Sequence, residues 1–180
     1  MGDRTDEDLF AAYVAGDVAA FQILFARYAP LLTRLMLRDV RRRQEAEELV
    51  QDTFLHLHRS AGDFRPGAKL RPWLMTIALN LKREHFRRKL RRPEVSLELD
   101  GRMDPPAEPG WIAERHDARR QIELALASLP EKHREAIVLH WFAGLSFPEV
   151  AEIVGASLSA VKVRAHRGYK LMKSTIQGKV

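Results

Sequence analysis

Apolar residues recur along this chain at intervals of three and four, and nowhere alternate at intervals of two over the length of a strand, so the pattern predicts helices throughout. Leu9, Phe10, Tyr13 and Val14 form the first stripe. Thr5 with Asp8 is a capping box that opens it, and Gly16 closes it. Asp17 caps a second helix carrying Ala20, Phe21, Leu24, Phe25 and Tyr28; Pro30 is expected to break or kink it before Leu31, Leu32, Leu35 and Met36. From about Gln44 to Arg59, Ala46, Leu49, Val50, Thr53, Phe54 and Leu57 share one broad face. Glu45, Glu48, Gln51 and Asp52 lie on or beside the other, which predicts an exposed acidic side. Gly62 to Gly67 reads as a turn-forming loop. Leu70 or Pro72 then starts a long helix to about Arg92, with Trp73, Leu74, Ile77, Ala78 and Leu81 expected to face inward.

The period disappears between 93 and 115. Pro93, Pro105, Pro106, Pro109, Gly101 and Gly110 are interspersed there with Glu94, Glu98, Asp100, Asp104, Glu108 and Glu114, the composition of an acidic linker. The expected architecture is therefore all-α, with a helical domain over 1–92, a flexible linker over 93–115 and a second helical domain over 116–180.

The second domain holds the most specific local pattern. Ser146 and Glu149 form a capping box, so a helix starts at Phe147, with Pro148 in the first turn where its missing N–H costs nothing. Ala151 is small where two helices must cross, Gly155 supplies the left-handed residue that ends the first helix, and Ser157 caps a second. On that second helix Val161 falls inward, while Lys162, Val163, His166 and Arg167 lie on sides that can face outward. This is the grammar of a helix-turn-helix with a basic recognition helix; a small helical hairpin with a solvated basic face shares it.

Charge changes the picture in one direction. The 180 residues carry 30 Lys+Arg against 24 Asp+Glu, a formal net charge of +6, which favours a polyanionic partner. No apolar run approaches the roughly 20 residues that span a bilayer, and Met-Gly-Asp-Arg-Thr-Asp-Glu-Asp at the start is no signal peptide, which points to a soluble, cytoplasmic chain without membrane insertion. The chain has no cysteine, so disulfides, thiolate catalysis and cysteine zinc sites are excluded. His56 and His58, two apart, fall on different sides of a helix with no His-Glu-x-x-His pattern, and there is no phosphate loop or nucleophile elbow. No cofactor, metal or catalytic site is expected.

A second basic feature closes the long helix of the first domain. Lys82, Arg83, Arg87, Arg88, Lys89, Arg91 and Arg92 stand against the single acid Glu84, with Asn80, His85 and Phe86 interleaved. Such a run suits phosphate neutralisation, and its amide and aromatic neighbours suit unpaired bases; a solvated helix end that gains from the C-terminal dipole has the same composition.

Taken in order, Glu48-Leu-Val-Gln-Asp-Thr-Phe54, Asp63-Phe64-Arg65, Arg71-Pro-Trp-Leu-Met-Thr-Ile-Ala-Leu-Asn80, the arginine run, and Leu129-Pro-Glu-Lys-His-Arg-Glu135 leading into the helix-turn-helix resemble the extracytoplasmic-function sigma factors of bacterial RNA polymerase, over nearly the whole chain. The resemblance implies a region-two-like N-terminal domain and a region-four-like C-terminal domain. It implies that Glu48, Leu49, Gln51, Asp52 and Phe54 dock on the coiled coil of the polymerase beta-prime subunit, with Leu49 and Phe54 equally suited to the core. It implies that Asp63, Phe64, Arg65 and Asn80 receive a base flipped from the minus-ten element, with Lys82, Arg83, Arg87 and Arg88 holding the backbone. Lys162, Val163, His166 and Arg167 would read the minus-thirty-five element in the major groove, with Arg164 on phosphate. It further implies core polymerase, promoter DNA and an anti-sigma factor as partners, and a linker threading the polymerase cleft.

Four positions depart from the family pattern. Val163 replaces a small polar residue and either meets a thymine methyl or packs. Gly168 interrupts the recognition helix at a cost of roughly 1 kcal/mol relative to alanine, and His140-Trp141 replaces an Arg-Tyr type of pair. Two rival classes remain open: a stand-alone regulator, which would need a dimer for paired half-sites and no acidic docking helix, and a module that only binds an anti-sigma partner.

Overall fold

The computed structural model describes residues 4–40, 42–91 and 113–178, the side chains of 113–119 excepted. Among them every regular element is helical. The chain divides into two compact units, Met1–Gly101 and Arg102–Val180. Most of the expected linker lies outside the described residues, and its last three positions are already helical.

The first unit contains α1 (Asp6–Val14), α2 (Val18–Leu37), α3 (Arg43–Arg59), a 3₁₀ turn at Ala61–Asp63, and α4 (Leu70–Arg91). The capping box at Thr5 forms, with the Asp8 amide donating to the threonine hydroxyl at 3.1 Å, and Asp17 caps α2 by accepting from the Ala20 amide at 3.2 Å. Helix α2 runs through Pro30 without a break. The proline costs about 3 kcal/mol in a helix interior, but it sits on the exposed side. On the opposite side Leu24, Tyr28, Leu32, Leu35 and Met36 are buried, each contributing roughly 1.5–3 kcal/mol.

In α3 all six positions of the expected apolar face are buried, Thr53 included. Its hydroxyl donates to the Leu49 carbonyl at 2.7 Å, so the buried threonine keeps a hydrogen-bond partner. Helix α4 buries Leu70, Leu74, Met75, Ala78 and Leu79, whereas Trp73, Ile77 and Leu81 are only half-buried. The inward stripe is rotated from the expected one because α4 packs against α1 as well as α3.

The second unit contains α5 (Ala113–Ala127), α6 (Glu131–Ile137) continuing into a π-helical turn at Val138–Phe142, α7 (Phe147–Val154) and α8 (Leu158–Ile176). Its core gathers Ala125, Leu126, Leu129, Ile137, Leu139, Val150, Ile153, Val161 and Ala165. Among the described residues no helix is long and apolar enough to cross a membrane.

Candidate nucleic-acid interface

The helix-turn-helix forms as its caps dictate. The Ser146 amide and hydroxyl both donate to Glu149 Oε2 at 2.7 Å, and the Glu149 amide returns a bond to Ser146 Oγ at 3.5 Å. Gly155 ends α7 at φ 62°, ψ 44°, the left-handed conformation, and Ser157 Oγ accepts from the Ala160 amide at 3.2 Å. On α8, Val161, Ala165 and Gly168 are buried, one stripe at four- and three-residue spacing. That leaves Lys162, Val163, His166 and Arg167 exposed and Arg164 half-buried. Val163 is 47% exposed, so of its two alternatives it does not pack but offers its methyls to solvent.

Two of the unexplained positions acquire structural reasons. A Cβ at Gly168 would lie 2.7 Å from Ile137 Cδ1 and 3.2 Å from His133 Cβ; the glycine lets α8 cross α6 closely, and sequence alone could offer only its propensity cost. His140 Nδ1 lies 2.6 Å from the Leu145 carbonyl oxygen, which requires the ring to donate from that nitrogen. The same imidazole stacks on Phe147 with centroids 3.9 Å apart and planes 20° from parallel. His140 thus ties the π-helical turn to the start of α7. Trp141, 53% exposed, stacks on Tyr169, 55% exposed. With Phe147, Lys162, Ala165 and His166 they line an open depression of about 410 Å³ beside the recognition helix.

In the first unit, α3 presents Glu47, Glu48, Gln51 and Asp52 to solvent. Gln44 Nε2 donates to Glu48 at 3.1 Å, and Arg43 pairs with Glu47 at 2.7 Å. Leu49 and Phe54 are 5% and 4% exposed and belong to the core, where Phe54 meets Phe21 and Phe25 at centroid distances of 5.9 and 4.7 Å. Glu45 does not join the acidic side; it faces α4, where Lys89 Nζ and His85 Nε2 approach it at 3.4 Å.

The loop after α3 exposes Asp63 and Arg65 and half-buries Phe64 between them. Phe64 lies against Phe10 at 5.1 Å and Trp73 at 5.0 Å, so it anchors the loop. Asn80 is exposed on α4, two turns along the stripe from Trp73. Its Oδ1 accepts from Arg83 at 3.4 Å.

The basic run is less uniform than its sequence. Lys82 is drawn out of it, because its ammonium pairs with Asp39 at 2.5 Å and its side chain is only 13% exposed. Arg87 and Arg88 are exposed, and both reach back to Glu84. Their hydrogen bonds and charge, Arg88 first, hold that carboxyl below the usual carboxylate range. Among the described residues no three His, Asp and Glu side chains converge as a cation site would require.

Comparison with known proteins agrees with this arrangement. Residues 24–92 match Sigma-70 region 2, and residues 119–172 match Sigma-70, region 4. RNA polymerase sigma factor CarQ of Myxococcus xanthus is 38% identical over 157 residues, 87% of this chain and 89% of the relative. ECF RNA polymerase sigma factor SigM of Mycobacterium tuberculosis is 34% identical over 165 residues, 92% of this chain and 81% of the relative. Among solved structures, CnrH in complex with the cytosolic domain of CnrY is 27% identical with a TM-score of 0.71, covering 97% of this chain and 99% of that one. The sigma factor RpoE of Bartonella quintana, in complex with the anti-sigma factor NepR, shares the fold at a TM-score of 0.71 and 24% identity, covering 87% of this chain and 96% of that one. A helix-turn-helix with an exposed basic face, a region-2 unit before it and relatives alike over most of their own length lead to one assignment: the chain belongs to the extracytoplasmic-function sigma factors of bacterial RNA polymerase.

Proposed function

We propose that this sigma factor docks on core polymerase through Glu48, Gln51 and Asp52 of α3, opposite basic residues of the beta-prime coiled coil. Leu49 and Phe54 act from beneath, by fixing the helix that carries these acids. The minus-ten element is read and opened by the first unit: Asp63, Arg65 and Asn80 meet the unstacked base, Phe64 seats the loop, and Arg83, Arg87 and Arg88 hold the phosphates. Lys82 serves the position of α4. The minus-thirty-five element is read by Lys162, Val163, His166 and Arg167 in the major groove, with Arg164 on the backbone. Residues 1–92 and 116–180 are the two reading domains, 93–115 joins them, the chain acts in the cytoplasm, and an anti-sigma factor restrains it. The polymerase supplies the chemistry.

The observation that supports this reading best is the exposure of two separate candidate base-reading sets in one chain, Asn80 with its loop in the first unit and the outer face of α8 in the second, together with an acidic face of α3 that neither set uses. A stand-alone regulator has no use for that acidic face. The test is transcription from a broad promoter library by the full chain with core polymerase. Selected promoters yielding transcripts support the reading, and a folded protein that yields none removes it. Within that assay Asn80→Ala is expected to impair open-complex formation more than initial duplex binding; equal loss in both strips Asn80 of its role.

A further inference from the structure

Helix α4 carries Asn80 and the basic run, yet it begins without a cap of its own. Gly67, Ala68 and Lys69, immediately before it, offer no side-chain acceptor for the orphan amides of its first turn. The acceptor comes from 63 residues away: the Leu70 amide donates to Glu7 Oε1 of α1 at 3.0 Å. A carboxylate at that place also complements the positive end of the helix dipole.

The same helix α1 holds the loop that precedes α4. Phe10, 1% exposed, presents its ring edge-on to Phe64 at 5.1 Å and to Trp73 at 5.8 Å. A third tie runs from Asp6, which accepts from the Tyr28 hydroxyl and from Arg27, while Arg71 Nε donates to the Tyr28 oxygen at 3.3 Å. Within the loop, the Ala68 amide donates to the Arg65 carbonyl at 3.1 Å across a turn in which Gly67 has φ 78°. The chain between the 3₁₀ turn and α4 is thus fixed at its start, through Phe64, by Phe10 and at its exit by Glu7.

We infer that Glu7 and Phe10 are positioning residues for the minus-ten reader. They set where Asp63 and Arg65 stand relative to Asn80, and so take part in choosing the base at which the duplex opens. Both precede residues 24–92, the segment that matches region 2. The inference rests on the proposed role of the loop and Asn80. Its logic is that a base edge is discriminated by hydrogen bonds of fixed length, so a supporting shell that lets the loop drift costs selectivity before it costs the fold.

The experiment is transcription by the full chain with core polymerase from a library randomised in the minus-ten element, read by sequencing the transcripts. Glu7→Ala and Phe10→Leu are expected to flatten the preferred-base ratio about five-fold, the worth of one misplaced hydrogen bond. Preference in the minus-thirty-five element and affinity for core polymerase stay as they are. Glu7→Gln, which keeps an acceptor, retains more of the ratio than Glu7→Ala. Leu35→Ala, a core truncation in α2, controls for lost stability. The inference is overturned if Glu7→Ala and Phe10→Leu leave the profile intact, or if Leu35→Ala flattens it equally. Arg65→Ala and Asn80→Ala run in parallel: if they change the profile and the α1 variants do not, only this inference falls; if they do not change it, the role of the loop falls and takes the inference with it.

Discussion

The two units carry base-reading surfaces of opposite construction. In the second unit the reader is built from neighbours: Ser146 with Glu149, Gly155, and Ser157 with Ala160 define both helices of the motif through partners three residues apart. In the first unit the proposed reader is a loop and a helix flank whose supports come from elsewhere in the chain, Glu7 capping α4, Phe10 seating Phe64, and Asp39 taking Lys82. A helix inserted into a groove needs little besides its own caps and one buried stripe. A site that must accept a base taken out of the stack needs several segments held at fixed separations, and those are bought with long-range contacts.

The strongest way to break the comparison is to give the locally built reader a fault of distant origin. Gly168→Val places its branched side chain into Ile137 and His133, and the overpacking is expected to cost about 3 kcal/mol and to abolish minus-thirty-five recognition. Denaturation of the second unit measures it. Gly168→Ala is milder, since the tip of Ile137 can swing away and alanine recovers about 1 kcal/mol of helix propensity. Equal stability of the valine variant and the parent would contradict the close crossing of α6 and α8.

Next in size are the base contacts. Lys162→Ala, His166→Ala and Arg167→Ala are each expected to lose about 1–3 kcal/mol of discrimination in the minus-thirty-five element while leaving the minus-ten profile unchanged, as selection from a doubly randomised promoter would report. Loss of minus-ten selectivity in these variants would mean that the two readers are not separable.

The basic run offers a sharper contrast. Arg83→Ala, Arg87→Ala and Arg88→Ala should each lower the slope of log affinity against log salt by roughly 0.7–0.9, the signature of one phosphate contact. Lys82→Ala should leave that slope alone and instead lower thermal stability, because it removes a 2.5 Å ion pair from a largely enclosed place. A salt-slope change for Lys82→Ala equal to that of Arg83→Ala would return Lys82 to the DNA surface.

The smallest effect concerns pH. Burial first, and then the hydrogen bond to Asp6, push the Tyr28 hydroxyl from 10.0 up to about 12. The folded state therefore favours the protonated phenol, so its stabilisation is complete below pH 10 and is lost as the pH rises towards 12. Urea titrations across that interval should show a steeper fall for the parent than for Tyr28→Phe. Parallel curves would remove Tyr28 as the titrating group.

How much was legible beforehand follows from the same contrast. The capping boxes, the buried face of α3, Gly155 and the exposure of Lys162, Val163, His166 and Arg167 were all readable, because each follows from helical period and a partner within one turn. The pairing of Lys82 was not readable, because composition counts a charge without showing its partner, and Asp39 lies 43 residues away. Pro30 was expected to disturb α2; the apolar side opposite it outweighs its propensity. Glu45 was placed with the exposed acids because a helical wheel shows a face but not the neighbour that covers it. The π-helical turn carrying His140 and Trp141 left no signal, since one extra residue in a turn does not alter composition.

The sequence by itself determined an all-helical chain, the family to which it belongs, the two reading units and the outward face of the recognition helix, since periodicity, caps and motif order are properties of neighbouring residues. Only the tertiary structure decided which cations remain exposed, why position 168 is glycine, and that α1 holds the loop and caps the helix of the proposed minus-ten reader. Those outcomes depend on distances between residues far apart in the chain, which no local pattern encodes.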